Sequence, residues 1–117
     1  MIKGIHSVVV WTEDLNRLVP FYGEALGLKP EMEDEGFVVF QSAGAQLAIG
    51  RHSEVRGTSQ EPNRIMVDLL VDDCRAEYER LKGKGVTFVR EPYQEGGFII
   101  ATFLDPDGNT LQLFQAV

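Results

Sequence analysis

One cysteine, Cys74, occurs in 117 residues, which excludes an intrachain disulfide framework and any cluster of thiolate metal ligands. Long apolar runs are missing as well. The stretches Val8 to Trp11, Phe37 to Phe40 and Phe98 to Ala101 fall far below the roughly 20 residues that a membrane span needs. No basic-then-apolar-then-small pattern marks the N-terminus, so no signal peptide and no membrane partner are expected, and the expected location is the cytoplasm. Basic residues are few, with 11 Lys and Arg against 18 Asp and Glu and a net charge of −7. Such a chain repels a phosphate backbone at long range, which disfavours nucleic acid as a partner. Neither a phosphate-cradling loop nor a nucleotide motif is present. The one adjacent glycine pair, Gly96-Gly97, reads as a short turn between strands.

What is present fits one soluble domain with a core: 44% of the residues are apolar and 25% charged, ordinary values for a globule of this length. The most informative segment is Phe103 to Gln115. Its apolar run stops at Asp105-Pro106-Asp107-Gly108-Asn109, where Pro106 presets φ for a turn and Gly108 can supply a positive φ. A strand then alternates, with Leu111 and Leu113 on one face and Thr110, Gln112 and Phe114 on the other. The acids Glu31, Glu33, Asp34 and Glu35 form the densest charge run, whose usual meaning is a solvated loop. Cys74 sits where a helix should begin and reads as a small packed residue.

Two halves follow the same order. In the first, a strand at Ile5 to Thr12 precedes an amphipathic helix over Glu13 to Leu26, ended by Gly27. Pro20 predicts a kink or a late start near Asn16. Strands follow around Leu28 to Glu31, at Gly36 to Gln41 and at Ala45 to Gly50. In the second half, a strand at Arg64 to Val71 precedes a helix from Asp72 or Asp73 to Lys84, stopped by Gly85. Strands follow at Val86 to Arg90, Phe98 to Leu104 and Thr110 to Phe114. Placing Asp14 over Asp72 also places Gly27 over Gly85, a shared offset of 58. The expected fold is therefore α+β, a single domain over 1–117. It has two βαβββ modules, about 1–50 and 64–117, joined by a polar connector at about 51–63.

Each module covers one sheet face with its own helix, so the two bare faces are expected to enclose a ligand cavity. Strand parity assigns Ile65, Val67, Leu69 and Val71 to the helix side, and Arg64, Met66, Asp68 and Leu70 to the cavity. The same rule sends Gln46, Ala48 and Gly50 to the cavity, together with Thr110, Gln112 and Phe114. His52 is placed just past the fourth strand, in the connector and exposed.

In this order and spacing, Asp14-Leu15, Phe21-Tyr22, Leu26-Gly27-Leu28, Val71-Asp72-Asp73, Leu81, Gly85-Val86, Glu91-Pro92 and the Asp105 to Asn109 turn resemble the vicinal oxygen chelate superfamily. This is the glyoxalase, bleomycin-resistance and extradiol dioxygenase group, and the likeness covers essentially the whole chain. The resemblance implies paired βαβββ modules, commonly a homodimer, and in the enzymes a divalent metal such as Mn, Zn, Ni or Fe. Carried over residue by residue, the implied ligand positions fall on Gln112, near Ala48, on Met66, and on His6 or Ser7. Alanine has no donor, thioether sulfur suits these cations poorly, and an amide adds no charge. His6 and Gln112 stay as metal candidates, with Asp68 as a source of charge if the three converge. No cofactor is otherwise assigned.

The expected function is to bind or sequester a small ligand, cationic or aromatic, at a degenerate metal site. Gln46, Ala48, Met66, Thr102, Gln112 and Phe114 are the expected ligand contacts. The alternative is a divalent-metal enzyme, a glyoxalase-type lyase or isomerase or a ring-cleaving dioxygenase using His6 and Gln112. In any catalytic version, His6 and Asp68 are the acid-base candidates. Imidazole titrates near neutrality, and Asp68, if buried beside Met66 and Leu70, would have a raised pKa. Its structural alternative is an ion pair with Arg64, Arg51 or Arg90.

Overall fold

Asp14 and Asp73 open the two helices in the same way. Both lie in extended backbone, with φ near −140° and ψ of 98°. Each carboxylate accepts a 3.0 Å hydrogen bond from a first-turn N–H, of Asn16 in one case and Ala76 in the other, satisfying a donor that the helix itself leaves unpaired. The second helix has a further cap from afar, since the Cys74 N–H donates to Gln115 Oε1 at 2.8 Å.

The computed structural model describes residues 1–117, in two units, Met1–Gly57 and Thr58–Val117. In the first unit, β1 (Ser7–Thr12) leads to α1 (Leu15–Pro20), a π-helical turn (Phe21–Ala25), β2 (Pro30–Glu33), β3 (Phe37–Phe40) and β4 (Gln46–Arg51). Its sheet runs β1-β4-β3-β2, with β1 parallel to β4 and the other pairs antiparallel. In the second unit, β5 (Val67–Leu70) leads to α2 (Cys74–Gly83), β6 (Thr87–Glu95), β7 (Phe98–Leu104) and β8 (Thr110–Ala116). This sheet runs β5-β8-β7-β6 with the same pattern of directions. The parallel pair requires a crossover, and the helix supplies it. The fold is thus α+β with two βαβββ modules.

Each helix buries its apolar side on one face of its own sheet. Leu18 and Tyr22 are fully buried in the first unit with Phe40 and Ile49, and the Tyr22 and Phe40 rings lie 6.5 Å apart. In the second unit Leu81, Phe103, Leu111 and Leu113 are buried, and Tyr78, Phe88 and Phe103 form a chain of rings at 4.7 and 5.3 Å. The β7–β8 turn closes around Asp105. Its carboxylate accepts from the N–H groups of Asp107 and Asn109 and from the Asn109 amide at 2.9 to 3.0 Å, while Gly108 takes φ 77°.

Several boundaries differ from those expected. The first helix starts at Leu15, between the two expected starts, and its α-helical part runs to Pro20 without giving way to a loop. Instead the chain widens after Pro20 into a π turn, with the Leu26 N–H donating to Phe21 O, five residues back, at 3.0 Å. Proline has no N–H for the regular ladder, and the wider turn takes up one extra residue. The capping aspartates correspond as Asp14 and Asp73, not as Asp14 and Asp72, so the offset is 59 before the helix and 58 at its terminal glycines, Gly27 and Gly85. Strand β2 begins at Pro30 rather than Leu28 and carries Glu31 and Glu33, which the charge run had placed in a loop. Ile65, expected against the helix, is 77% exposed because β5 begins only at Val67. His52 is half-buried, with its ring edge-on to Trp11 at 5.4 Å and its Nδ1 accepting from the Glu54 N–H at 3.0 Å.

Candidate functional site

On the face of the first sheet away from its helix, register brings together Ser7 with Gln46, Val9 with Ala48, and Trp11 with Gly50. Antiparallel pairing with β3 adds Val39 opposite Ala48 and Phe37 opposite Gly50. This face carries a hollow of about 440 Å³, within the range of small-molecule sites. Its apolar lining is Met32, Phe37, Val39 and Ala48, and its polar lining is His6, Ser7, Glu31 and Gln46. The open question between His6 and Ser7 thus has a double answer. Ser7 holds the register position, and His6, one residue before β1, lines the hollow as well while its backbone carbonyl accepts from the Gln46 N–H at 3.0 Å.

Glu31 and Met32 line this hollow side by side, which regular alternation forbids. Pro30 pairs with Phe40 and Met32 with Val39, so β2 advances two residues while β3 advances one. Glu31 is the additional residue of a β-bulge, and bulges re-aim side chains in this way. The Gln46 Nε2 donates to Glu31 Oε2 at 3.2 Å. Beside the hollow, the Trp11 and Phe37 rings meet at 5.8 Å over Gly50.

The second unit carries a different arrangement. Across its sheet, Asp68, Gln112, Thr102 and Arg90 lie in register on one face. The Thr102 hydroxyl donates to Gln112 Oε1 at 3.0 Å, and Gln112 Nε2 donates to Asp68 Oδ1 at 2.9 Å. Arg90 turns instead onto the Tyr93 ring, 3.4 Å from its centroid. Asp68 is exposed, which corrects the expectation of a buried carboxylate, and its partner is an amide rather than Arg64, Arg51 or Arg90. Burial fails because Met66 and Leu70, its expected cover, are themselves exposed. Phe114 packs on Phe98, ring to ring at 4.4 Å.

The residues present do not fit the divalent metal implied by the resemblance. Gln112 has both ends of its amide committed, Ala48 has no donor, and Met66 offers only sulfur. No group of three or more His, Cys, Asp or Glu side chains is gathered into a metal-holding arrangement. Of the expected contacts, His6, Gln46 and Ala48 share the hollow, while Asp68, Thr102 and Gln112 share the second sheet's polar row. Sequence reasoning missed Glu31 and Met32, whose shared side depends on the bulge. It also missed Val39, because Phe37-Val38-Val39-Phe40 is apolar throughout and hides its alternation.

A sequence model of the Glyoxalase/Bleomycin resistance protein/Dioxygenase superfamily matches residues 4–113. The chain is similar to the uncharacterized protein YetH of Bacillus subtilis (strain 168), with 29% identity over 118 residues that cover 97% of this chain and 98% of the other. Among solved structures it resembles a glyoxalase/bleomycin resistance protein/dioxygenase from Nocardioides, with a TM-score of 0.78 and 24% identity over 100% of this chain and 85% of that one. It also resembles a lactoylglutathione lyase from Agrobacterium tumefaciens, with a TM-score of 0.76 and 16% identity over 97% and 94% of the two chains. At such identities these structures speak for the fold alone.

Proposed function

Because the chain belongs to the glyoxalase/bleomycin resistance protein/dioxygenase superfamily, we propose that it binds or sequesters a small organic ligand in the hollow of its first unit. Apolar contact and hydrogen bonds hold the ligand, with no divalent metal in its recognition. The observation that carries this reading is the hollow itself. It pairs an apolar floor of Met32, Phe37, Val39 and Ala48 with polar groups from His6, Ser7, Glu31 and Gln46, the mixture that lets a pocket both desolvate and orient a molecule. Burying a floor of this kind against a ligand contributes at about 25 cal/mol per Å² of apolar surface. The polar groups then fix its orientation.

The single tryptophan, Trp11, reports on this site, since its ring contacts Phe37 and Phe37 lines the hollow. A panel of small aromatic compounds, titrated against Trp11 fluorescence and followed in parallel by thermal shift, is expected to give saturable binding. Ala48→Phe fills the floor and should abolish it. Equal binding by Ala48→Phe and the parent protein would overturn the reading.

A further inference from the structure

The bulge at Glu31 gives the hollow a charge. Without it, the residue before Met32 would point to the helix side of the sheet. With it, a carboxylate stands next to the methionine over the same space. Gln46 Nε2 holds one carboxylate oxygen. Gln46 reaches Glu31 past the end of β3, so the carboxylate is tethered in place while its second oxygen has no partner in the chain. No Lys or Arg lines the hollow, and the net charge of −7 adds a long-range attraction for positive ligands.

We propose that the hollow selects an organic cation, an ammonium or guanidinium group carried on a small apolar body, and that Glu31 is the residue that sets this specificity. The inference rests on the small-molecule reading above. The apolar body would lie on Phe37, Val39 and Ala48, and the cationic nitrogen would donate to the free oxygen of Glu31. A hydrogen bond to a charged partner is stronger than a neutral one, so exchanging the cation for a neutral group of the same shape should lose roughly tenfold in affinity.

Three probes of one shape test this: 3-phenylpropylamine, 3-phenylpropan-1-ol and 3-phenylpropionate, titrated at pH 8 against the full chain by Trp11 fluorescence and calorimetry. The amine is expected to bind about tenfold more tightly than the alcohol, and the carboxylate more weakly than either. In Glu31→Gln, which keeps the shape and an exposed strand position, the amine should lose its tenfold advantage over the alcohol. Glu33→Gln makes the same change of charge on the opposite face and should leave the preference intact. Equal binding of amine and alcohol by the parent protein, or a preference surviving in Glu31→Gln, would overturn the cation inference and leave the small-molecule reading standing. Binding of none of the three probes would overturn both.

Discussion

Trp11 lies over Gly50 of the neighbouring parallel strand so closely that a Cβ at position 50 would come within 2.7 Å of its ring atom Cε3 and 2.8 Å of Phe37 Cδ1. The glycine is therefore required by the two rings rather than by its own backbone. Gly50→Ala should cost about 1–3 kcal/mol, the usual range for overpacking. Urea unfolding would measure the loss. The near-ultraviolet signal of the lone tryptophan should change with it, because the ring must move to admit the methyl group.

Two glycines near the end of α2 should respond in opposite directions. Gly83 lies in the helix with open space around it, whereas Gly85 has φ 89°. Gly83→Ala gains helix propensity and should stabilise by about 0.5–1 kcal/mol. Gly85→Ala forces an L side chain into the left-handed region and should destabilise by about 1–2 kcal/mol. Thermal denaturation of the two variants beside the parent protein would separate them.

The Thr102–Gln112–Asp68 row predicts a pH-dependent effect. Gln112→Glu removes the amide donor and sets a second carboxylate beside Asp68. Like charges at this range raise the pKa of the introduced group in the folded state, so its penalty is present at neutral pH and disappears as acid protonates the pair. The expected loss is about 1 kcal/mol at pH 7, shrinking as the pH falls toward 4. Chemical denaturation at several pH values would follow it, and a constant difference would show that the two carboxylates do not meet.

Cys74 is fully buried at the start of α2, and burial pushes its thiol above the ordinary range, with Arg75 opposing the shift and Asp73 adding to it. The unfolded chain loses this proton at lower pH than the folded one. Stability from this group is therefore intact below the ordinary thiol range and declines as the pH rises through it. Cys74→Ala should flatten that decline. Alkylation by iodoacetamide in native buffer should be on the order of 100-fold slower than in denaturant, because reaction requires opening of the buried site.

The parts of this fold that could be read in the sequence are those written by local rules. The positive-φ glycines at 27, 85 and 108 punctuate helices and turn, and Leu111 and Leu113 alternate with Gln112 and Phe114. What escaped reading depends on events that leave no local mark. The bulge beside Met32 arises from register against Val39 and Phe40, so nothing in Pro30-Glu31-Met32-Glu33 announces it. Exposure of Asp68 depends on how far β5 extends, and Ile65, though apolar and correctly spaced, lies before the ladder begins. The one-residue widening after Pro20 was visible only as an awkward proline.

That widening has a consequence for building hybrids of the two modules. Gly27 comes thirteen positions after Asp14, and Gly85 twelve positions after Asp73. A segment transplanted between modules keeps its inside-outside pattern only if its reading frame shifts by one within the helix. A crossover placed upstream of Phe21 must use one alignment and a crossover between Ala25 and Gly27 the other. A helix joined without this shift turns by about 100° and carries its buried stripe off the sheet.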